Sequence, residues 1–287
     1  MSTASIIIRH AQTEAHSLVI AAYRLFFAVL ILSPIVIFHY RQELSKLNAK
    51  DFRFATLSGL FLALHFATWI TSLEYTTVAS SVVLVSTTPL WVALFSPFFI
   101  KERITRATLA GLVIASLGTI IIAINDACYS NNTFQCPSIS IFLQGEAFWG
   151  DILAVLGAIF GSGYILVGRG IRSKVPLMVY IFVVYGVAAV ILCSFTFGTN
   201  QQVIGFSPNI YIWLLLLALG PQLFGHSTVN WALGFLPAAF VSITLLGEPV
   251  GSIILAYFFL NESPGLIKLF GAILILGGIF IASQNKS

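Results

Sequence analysis

A few polar side chains fall inside long apolar runs of this sequence, and their spacing is regular. Gln222, His226 and Asn230 recur every four residues, so on a helix they form one continuous stripe. Glu248 has Thr244 one turn before it and Ser252 one turn after, with Gly251 beside them and Pro249 directly following. Ser58, His65, Thr68, Trp69 and Ser72 share a face of another run, and Arg24 lies between Ala21 and Ala28 in a third. Inside a membrane such groups bind a polar solute or move a proton. They also hydrogen-bond between helices and hold a bundle together.

The two uses are weighed residue by residue. Three aligned groups exceed what one interhelical bond needs, so the Gln222–His226–Asn230 stripe is read as facing a cavity. His65 is balanced between the two. Arg24 lies roughly two turns from a helix end, too deep to snorkel, and reads first as half of a structural ion pair. Trp69, Trp91 and Trp231 either contact substrate or serve as packing and interface anchors. Ser81 and Thr88 read as packing residues. Glu248 falls near the middle of its run, where a carboxylate costs about 2.5–3.5 kcal/mol on insertion scales. It must be neutralised, paired or open to water, and Pro249 frees a backbone carbonyl one turn back. The expectation is a coupling or substrate-orienting carboxylate, with an Arg24 ion pair as the alternative. The substrate-binding or coupling set is therefore Glu248, His226, Asn230, Gln222, His65, Trp69 and Arg24. His65 and His226 lack a clustered metal-ligand spacing, and no nucleophile–base pair accompanies them. No catalytic residue, metal or cofactor is assigned.

The elements that carry these residues must be membrane helices. Of 287 residues, 58% are hydrophobic and 8% charged, against about 25% charged in a soluble domain. A helical span needs about 20 apolar residues. Nine full spans are expected, at 17–39, 54–74, 77–99, 106–124, 147–168, 176–197, 209–232, 237–260 and 265–283. Each is expected to be continuous, because lipid offers no partner to an unpaired backbone group.

Basic residues occupy every second loop: Arg41, Lys46, Lys50 and Arg53, then Lys101, Arg103 and Arg106, then Arg169, Arg172 and Lys174. Segments 125–146 and 198–208 have no Lys or Arg. The positive-inside rule puts the basic loops and the carboxyl terminus at Lys286 in the cytoplasm of a cell-membrane protein. Loop 125–146 then lies outside. Its Cys128 and Cys136 can pair or stay reduced, and Asn131-Asn132-Thr133 is a sequon if the cell glycosylates.

An ungapped offset of 160 residues aligns the chain with itself: Ala79 meets Ala239, Pro89 meets Pro249, Glu102 meets Glu262, Gly111 meets Gly271 and Gly118 meets Gly278. This is an internal repeat, and the loop rule gives its copies opposite orientation, as in many secondary transporters. Residues 1–124 form the first copy, 125–146 an external loop and 147–287 the second. Arg9 pairs with Arg169, yet most of span 147–164 has no partner. The expectation is that the first helix is largely missing and residues 1–8 are at most its tail. Glu102 and Glu262 are read as stabilising the amino terminus of the helix that follows each. Gly161-Ser162-Gly163 marks either close packing or a flexible point.

AAYR at 21–24, GLFLALHFATWITSLEYTTVASSVVLVSTTPLW at 59–91 and GHSTVNWALGFLPAAFVSITLLGEPV at 225–250 resemble EamA-type permeases of the drug/metabolite transporter superfamily. The resemblance covers essentially the whole chain. It implies an all-α integral membrane fold of two inverted five-helix repeats, here with nine full spans because the first of ten helices is largely missing. In that family the first helix helps line a central cavity. Transport of an amino acid, sugar, nucleotide-like compound or drug by alternating access is implied, with proton coupling as an open element. The competing readings are a membrane-embedded enzyme acting on a lipid or lipid-linked substrate, and a non-transporting membrane component. The partners are a small-molecule substrate and the bilayer, a homodimer is left open, and nothing points to nucleic acid.

Overall fold

The computed structural model describes residues 2–130, 133–134, 145–260 and 265–284. Cys136, Asn131, Asn132, Glu262 and Lys286 lie outside these residues, as do the side chains of Cys128 and Ser252. The helices are α1 (Ala4–Ala11), α2 (Ser17–His39), α3 (Arg41–Ser45), α4 (Ala49–Tyr75), α5 (Val78–Val85), α6 (Thr88–Phe99), α7 (Arg106–Cys128), α8 (Glu146–Arg172) and α9 (Leu177–Gly198). They continue as α10 (Pro208–Leu217), a π segment (Ala218–His226), α11 (Ser227–Ala232), α12 (Ala238–Leu245), α13 (Glu248–Leu260) and α14 (Leu266–Ser283). Two short strands, β1 (Tyr129–Ser130) and β2 (Thr133–Phe134), pair antiparallel after α7.

Among the described residues, eight helical stretches are long and apolar enough to cross a membrane, and Arg106–Ile122 of α7 is a shorter apolar helix. The outer surface carries bare apolar side chains: Phe38 is 80% exposed and Phe98 78%. In water that surface would be unfavourable; against lipid tails it is the expected one. The chain is an all-α integral membrane protein.

Three of the expected continuous spans are not continuous. Span 77–99 breaks at Ser86–Thr87, between α5 and α6, and span 237–260 breaks at Leu246–Gly247, between α12 and α13. The cause is the same in both. Pro89 and Pro249 sit at the second position of α6 and α13, where proline lacks an N–H and clashes with the carbonyl four residues back. Side chains and tight turns satisfy the freed carbonyls. Thr88 Oγ1 donates to the Val85 carbonyl at 2.7 Å and Thr87 Oγ1 to that of Leu84 at 2.6 Å. In the second break, Leu246 N donates to Ile243 O and Gly247 N to Thr244 O, both at 3.0 Å. In span 209–232 Pro221 is absorbed differently, by widening the helix into the π segment.

Close helix contacts organise the bundle. A Cβ added at Gly111 would lie 2.4 Å from the Gly278 carbonyl oxygen, and one at Gly118 would lie 2.5 Å from that of Gly271. These contacts run in opposite senses along the two chains, so α7 and α14 are antiparallel, backbone against backbone. α4 packs along α8, where Gly157 faces Trp69 and Gly161 faces His65. At one end of the bundle Glu102 Oε1 accepts from Arg169 Nε at 2.6 Å and Oε2 from the Ala238 backbone N–H at 2.9 Å. Glu102 therefore caps α12, not the helix that follows it. The expectation of a local cap missed a partner 136 residues away. Arg169 Nη1 also donates to the Leu233 carbonyl at 3.0 Å. At the opposite end Arg9 Nη1 donates to the Leu73 carbonyl.

Candidate functional site

The two helix breaks look into one cavity of about 480 Å³. Thr88 and Glu248, the first residues of α6 and α13, both line it. Val78, Thr119 and Lys268 line it further out, towards the end opposite the Glu102–Arg169 pair, and Ser2 and Ser5 at the start of the chain complete that side. Arg24 from α2, His65 and Trp69 from α4, Tyr164 from α8 and His226 from the π segment form its inner wall. Five of the seven residues expected from spacing, Arg24, His65, Trp69, His226 and Glu248, thus share one cavity.

Gln222 and Asn230 do not line it. Both are fully buried and lie one layer behind, holding residues that do. Gln222 Oε1 accepts from Arg24 Nε at 2.8 Å, and the Arg24 guanidinium carbon sits 4.1 Å from the Phe66 ring centroid. Asn230 Nδ2 donates to the Tyr164 hydroxyl and, at 2.8 Å, to the His226 carbonyl. The stripe gave the right face but not the depth.

An aromatic cluster links the wall residues. The His65 ring stacks on Trp69 at 5.8 Å and meets His226 at 6.4 Å, while Phe66 packs edge-on to His226 at 5.2 Å. His65 Nδ1 is 2.7 Å from the Gly157 carbonyl. A carbonyl only accepts, so Nδ1 of His65 is the donor of this bond. Its helix-bridging and cavity-lining roles coexist.

Several wall groups are deeply buried yet incompletely bonded. Among the described residues no hydrogen-bond partner meets Arg24 Nη1, Trp69 Nε1 or His226 Nδ1, nor Gln222 Nε2 and Asn230 Oδ1 behind them. Buried polar groups are normally satisfied, and five of the eight exceptions among the described residues lie on or directly behind this cavity wall. No three His, Cys, Asp or Glu side chains come together as a metal site among the described residues.

Other expectations shift. Thr244 turns its hydroxyl to its own helix, onto the Val241 carbonyl at 2.6 Å. Trp91 Nε1 donates to Thr87 Oγ1 at 3.3 Å, a packing role, and Trp231 is 53% exposed on the outer surface. Thr88, read as packing, is on the cavity. Tyr164 and Lys268 were not singled out. Lys268 carries its own signal, a single charge in the apolar helix Leu266–Ser283. Tyr164 adjoins the Gly161-Ser162-Gly163 motif, where a Cβ added at Gly161 would lie 3.0 Å from His65 Nδ1.

A polytopic helical bundle with interrupted helices around a polar-studded cavity defines a membrane protein built around a solute-sized site. Comparison with known proteins gives the family. The EamA-like transporter family matches residues 1–124 and 148–284, and the chain belongs to it. It is 24% identical to the pseudopaline exporter CntI of Pseudomonas aeruginosa, over 95% of this chain and 89% of that protein. It is also 24% identical to the S-adenosylmethionine uptake transporter of Rickettsia conorii, over 99% of this chain and 89% of the relative. A solved crystal structure superposes with a TM-score of 0.75 at 18% identity, covering 99% of this chain and 92% of the other. That likeness shows the fold. Family and relatives point to a transporter rather than an enzyme.

Proposed function

We propose that this protein is a secondary transporter that moves a small metabolite across the cell membrane by alternating access, with Glu248 as the proton-coupling carboxylate. The observation that carries the reading is the cavity at the paired helix breaks, which is where transporters place their sites. Relatives named for export and for uptake of small molecules support it.

Alternating access needs two halves that can exchange roles, and several contacts favour that. Gly111 and Gly118 meet Gly278 and Gly271 in crossed order, although the sequence repeat pairs them directly. A two-fold relation between α7 and α14 produces that crossing. Likewise Arg9 bonds the Leu73 carbonyl as Arg169 bonds that of Leu233, each atom pair shifted by the repeat offset of 160 residues. With the basic loops cytoplasmic, the Glu102–Arg169–Ala238 contact closes the inner end and the cavity faces outward.

Counterflow of radiolabelled metabolites in proteoliposomes tests transport itself; a protein that exchanges none of an amino-acid, sugar, nucleotide and drug panel is not a transporter of this kind. Growth of a null strain over the same panel finds the substrate. For sidedness, cysteines at Ser45 and Ser173 should label only from the cytoplasm and one at Asn200 only from outside. Labelling of Ser45 and Asn200 from one side contradicts the topology.

A further inference from the structure

Two buried, unpartnered donors on residues that line the cavity say what kind of solute fits. Arg24 Nη1 and Trp69 Nε1 have no hydrogen-bond partner among the described residues. Their side chains line the cavity, 1% and 8% exposed. Both groups are donors only; neither a guanidinium nor an indole N–H can accept. An unsatisfied buried donor costs more than a made bond returns, so the complementary ligand brings acceptors. One of the donors is a permanent cation in apolar surroundings, held over Phe66 and fixed by Gln222 through Nε. That fixing leaves the guanidinium's remaining edge pre-oriented, and charged oxygen is its best partner.

We infer that the cavity recognises a carboxylate-bearing solute, whose carboxylate oxygens are met by Arg24 Nη1 and assisted by the Trp69 indole N–H. The inference rests on the cavity being the transport site. Two further features agree with it. α6 begins at Thr88 on the cavity wall and turns its positive helix end towards the site. Among the described lining residues Arg24 shares the cavity wall with one carboxylate, Glu248, so a monoanionic group is repelled less there than a dianion. A phosphate dianion would bring a second charge beside Glu248 to a guanidinium whose Nε is already committed. The rest of the wall, including Val82, Val85, Ile165 and Val229, is apolar and suits a hydrocarbon or aromatic body.

The test uses the full chain in detergent and matched probes: phenylalanine with phenylalaninamide, 4-phenylbutyrate with its amide, and phenyl phosphate. Thermal shift and tryptophan fluorescence should show each acid binding roughly tenfold or more tightly than its amide. Trp69→Phe keeps a ring but removes the N–H; it should weaken the acids several-fold and the amides less, because an amide oxygen is the weaker acceptor. Arg24→Gln should abolish the discrimination, and Trp69→Phe keeps the inference testable if that variant does not fold. Amides binding as well as acids, phenyl phosphate binding better than either acid, or neither acid binding would overturn it. The same panel in counterflow separates the two claims. Exchange of neutral or cationic solutes alone removes the carboxylate site and keeps the transporter. Acid binding without exchange of any solute does the reverse.

Discussion

The two copies of the sequence repeat are alike in what packs and unlike in what lines the cavity. Gly111 and Gly271, Gly118 and Gly278, Pro89 and Pro249, and Arg9 and Arg169 are matched pairs at the offset of 160 residues. They make the close helix contacts, the helix breaks and the backbone bonds of both copies. At the cavity the same offset pairs Glu248 with Thr88, Arg24 with Val184, His226 with Phe66 and His65 with Gly225. The fold is satisfied by either member of such a pair, since the equivalent helix stands without the charge. A carboxylate and a guanidinium kept on one side only, at the cost of burying them, are what the proposed coupling and binding roles require, and the repeat alone does not call for them.

The largest expected effect breaks the duplicated part. Gly111→Ala drives a methyl to 2.4 Å from the Gly278 carbonyl oxygen, and Gly118→Ala to 2.5 Å from that of Gly271. Helices must separate to admit either, at about 1–3 kcal/mol or more apiece. Gly277→Ala on α14 meets nothing within 4 Å and should be neutral. Melting temperature in detergent checks all three; an unaffected Gly111→Ala protein would contradict the backbone contact.

Next comes the clamp at the closed end. Glu102→Gln removes the charge from a carboxylate that holds Arg169 and the amino terminus of α12. The expected loss is about 1–2 kcal/mol, because charge-assisted bonds are stronger than neutral ones yet this pair is partly exposed. In addition, a cysteine at Ala238 should become more reactive from that side. Unchanged stability and reactivity would mean the contact does not hold the end shut.

How much of this is legible in the sequence depends on how local the cause is. The apolar runs and the repeat lie in contiguous residues, so the membrane class is written there, whereas the helix breaks next to Pro89 and Pro249 run against the continuous spans expected from those runs. That Pro89 and Pro249 split their helices outright, rather than kinking them, depends on Thr87, Thr88 and the 3.0 Å turn bonds at Leu246 and Gly247. Pro221 shows the alternative outcome, a widened helix. Spacing placed Gln222 and Asn230 on the cavity side of their helix, but only packing decides which row reaches the cavity. Glu102 was misread because its partners lie far off in sequence.

The smallest effect concerns the loops at the other end. Ser207 gives its backbone N–H and its hydroxyl to Glu14, both at 2.7 Å, and these bonds hold the Glu14 carboxyl below its ordinary value. A carboxylate lowered on folding contributes stability above its unfolded value, and loses it as pH falls through the folded one. The difference between wild type and Glu14→Gln should therefore be small at neutral pH and vanish in acid, below the ordinary value of 4.5. A difference that grows as pH falls would contradict the assignment.

The asymmetry of the cavity has its most direct test in Glu248 and its counterpart. In proteoliposomes loaded with an exchanged solute, Glu248→Gln should retain counterflow but lose accumulation driven by a proton gradient, and Thr88→Val should retain both. Arg24→Ala, alone and with Glu248→Gln, separates coupling from a structural pair, which would show as instability of either single variant relieved in the double. Gradient-driven accumulation by Glu248→Gln equal to that of the wild type would contradict the account.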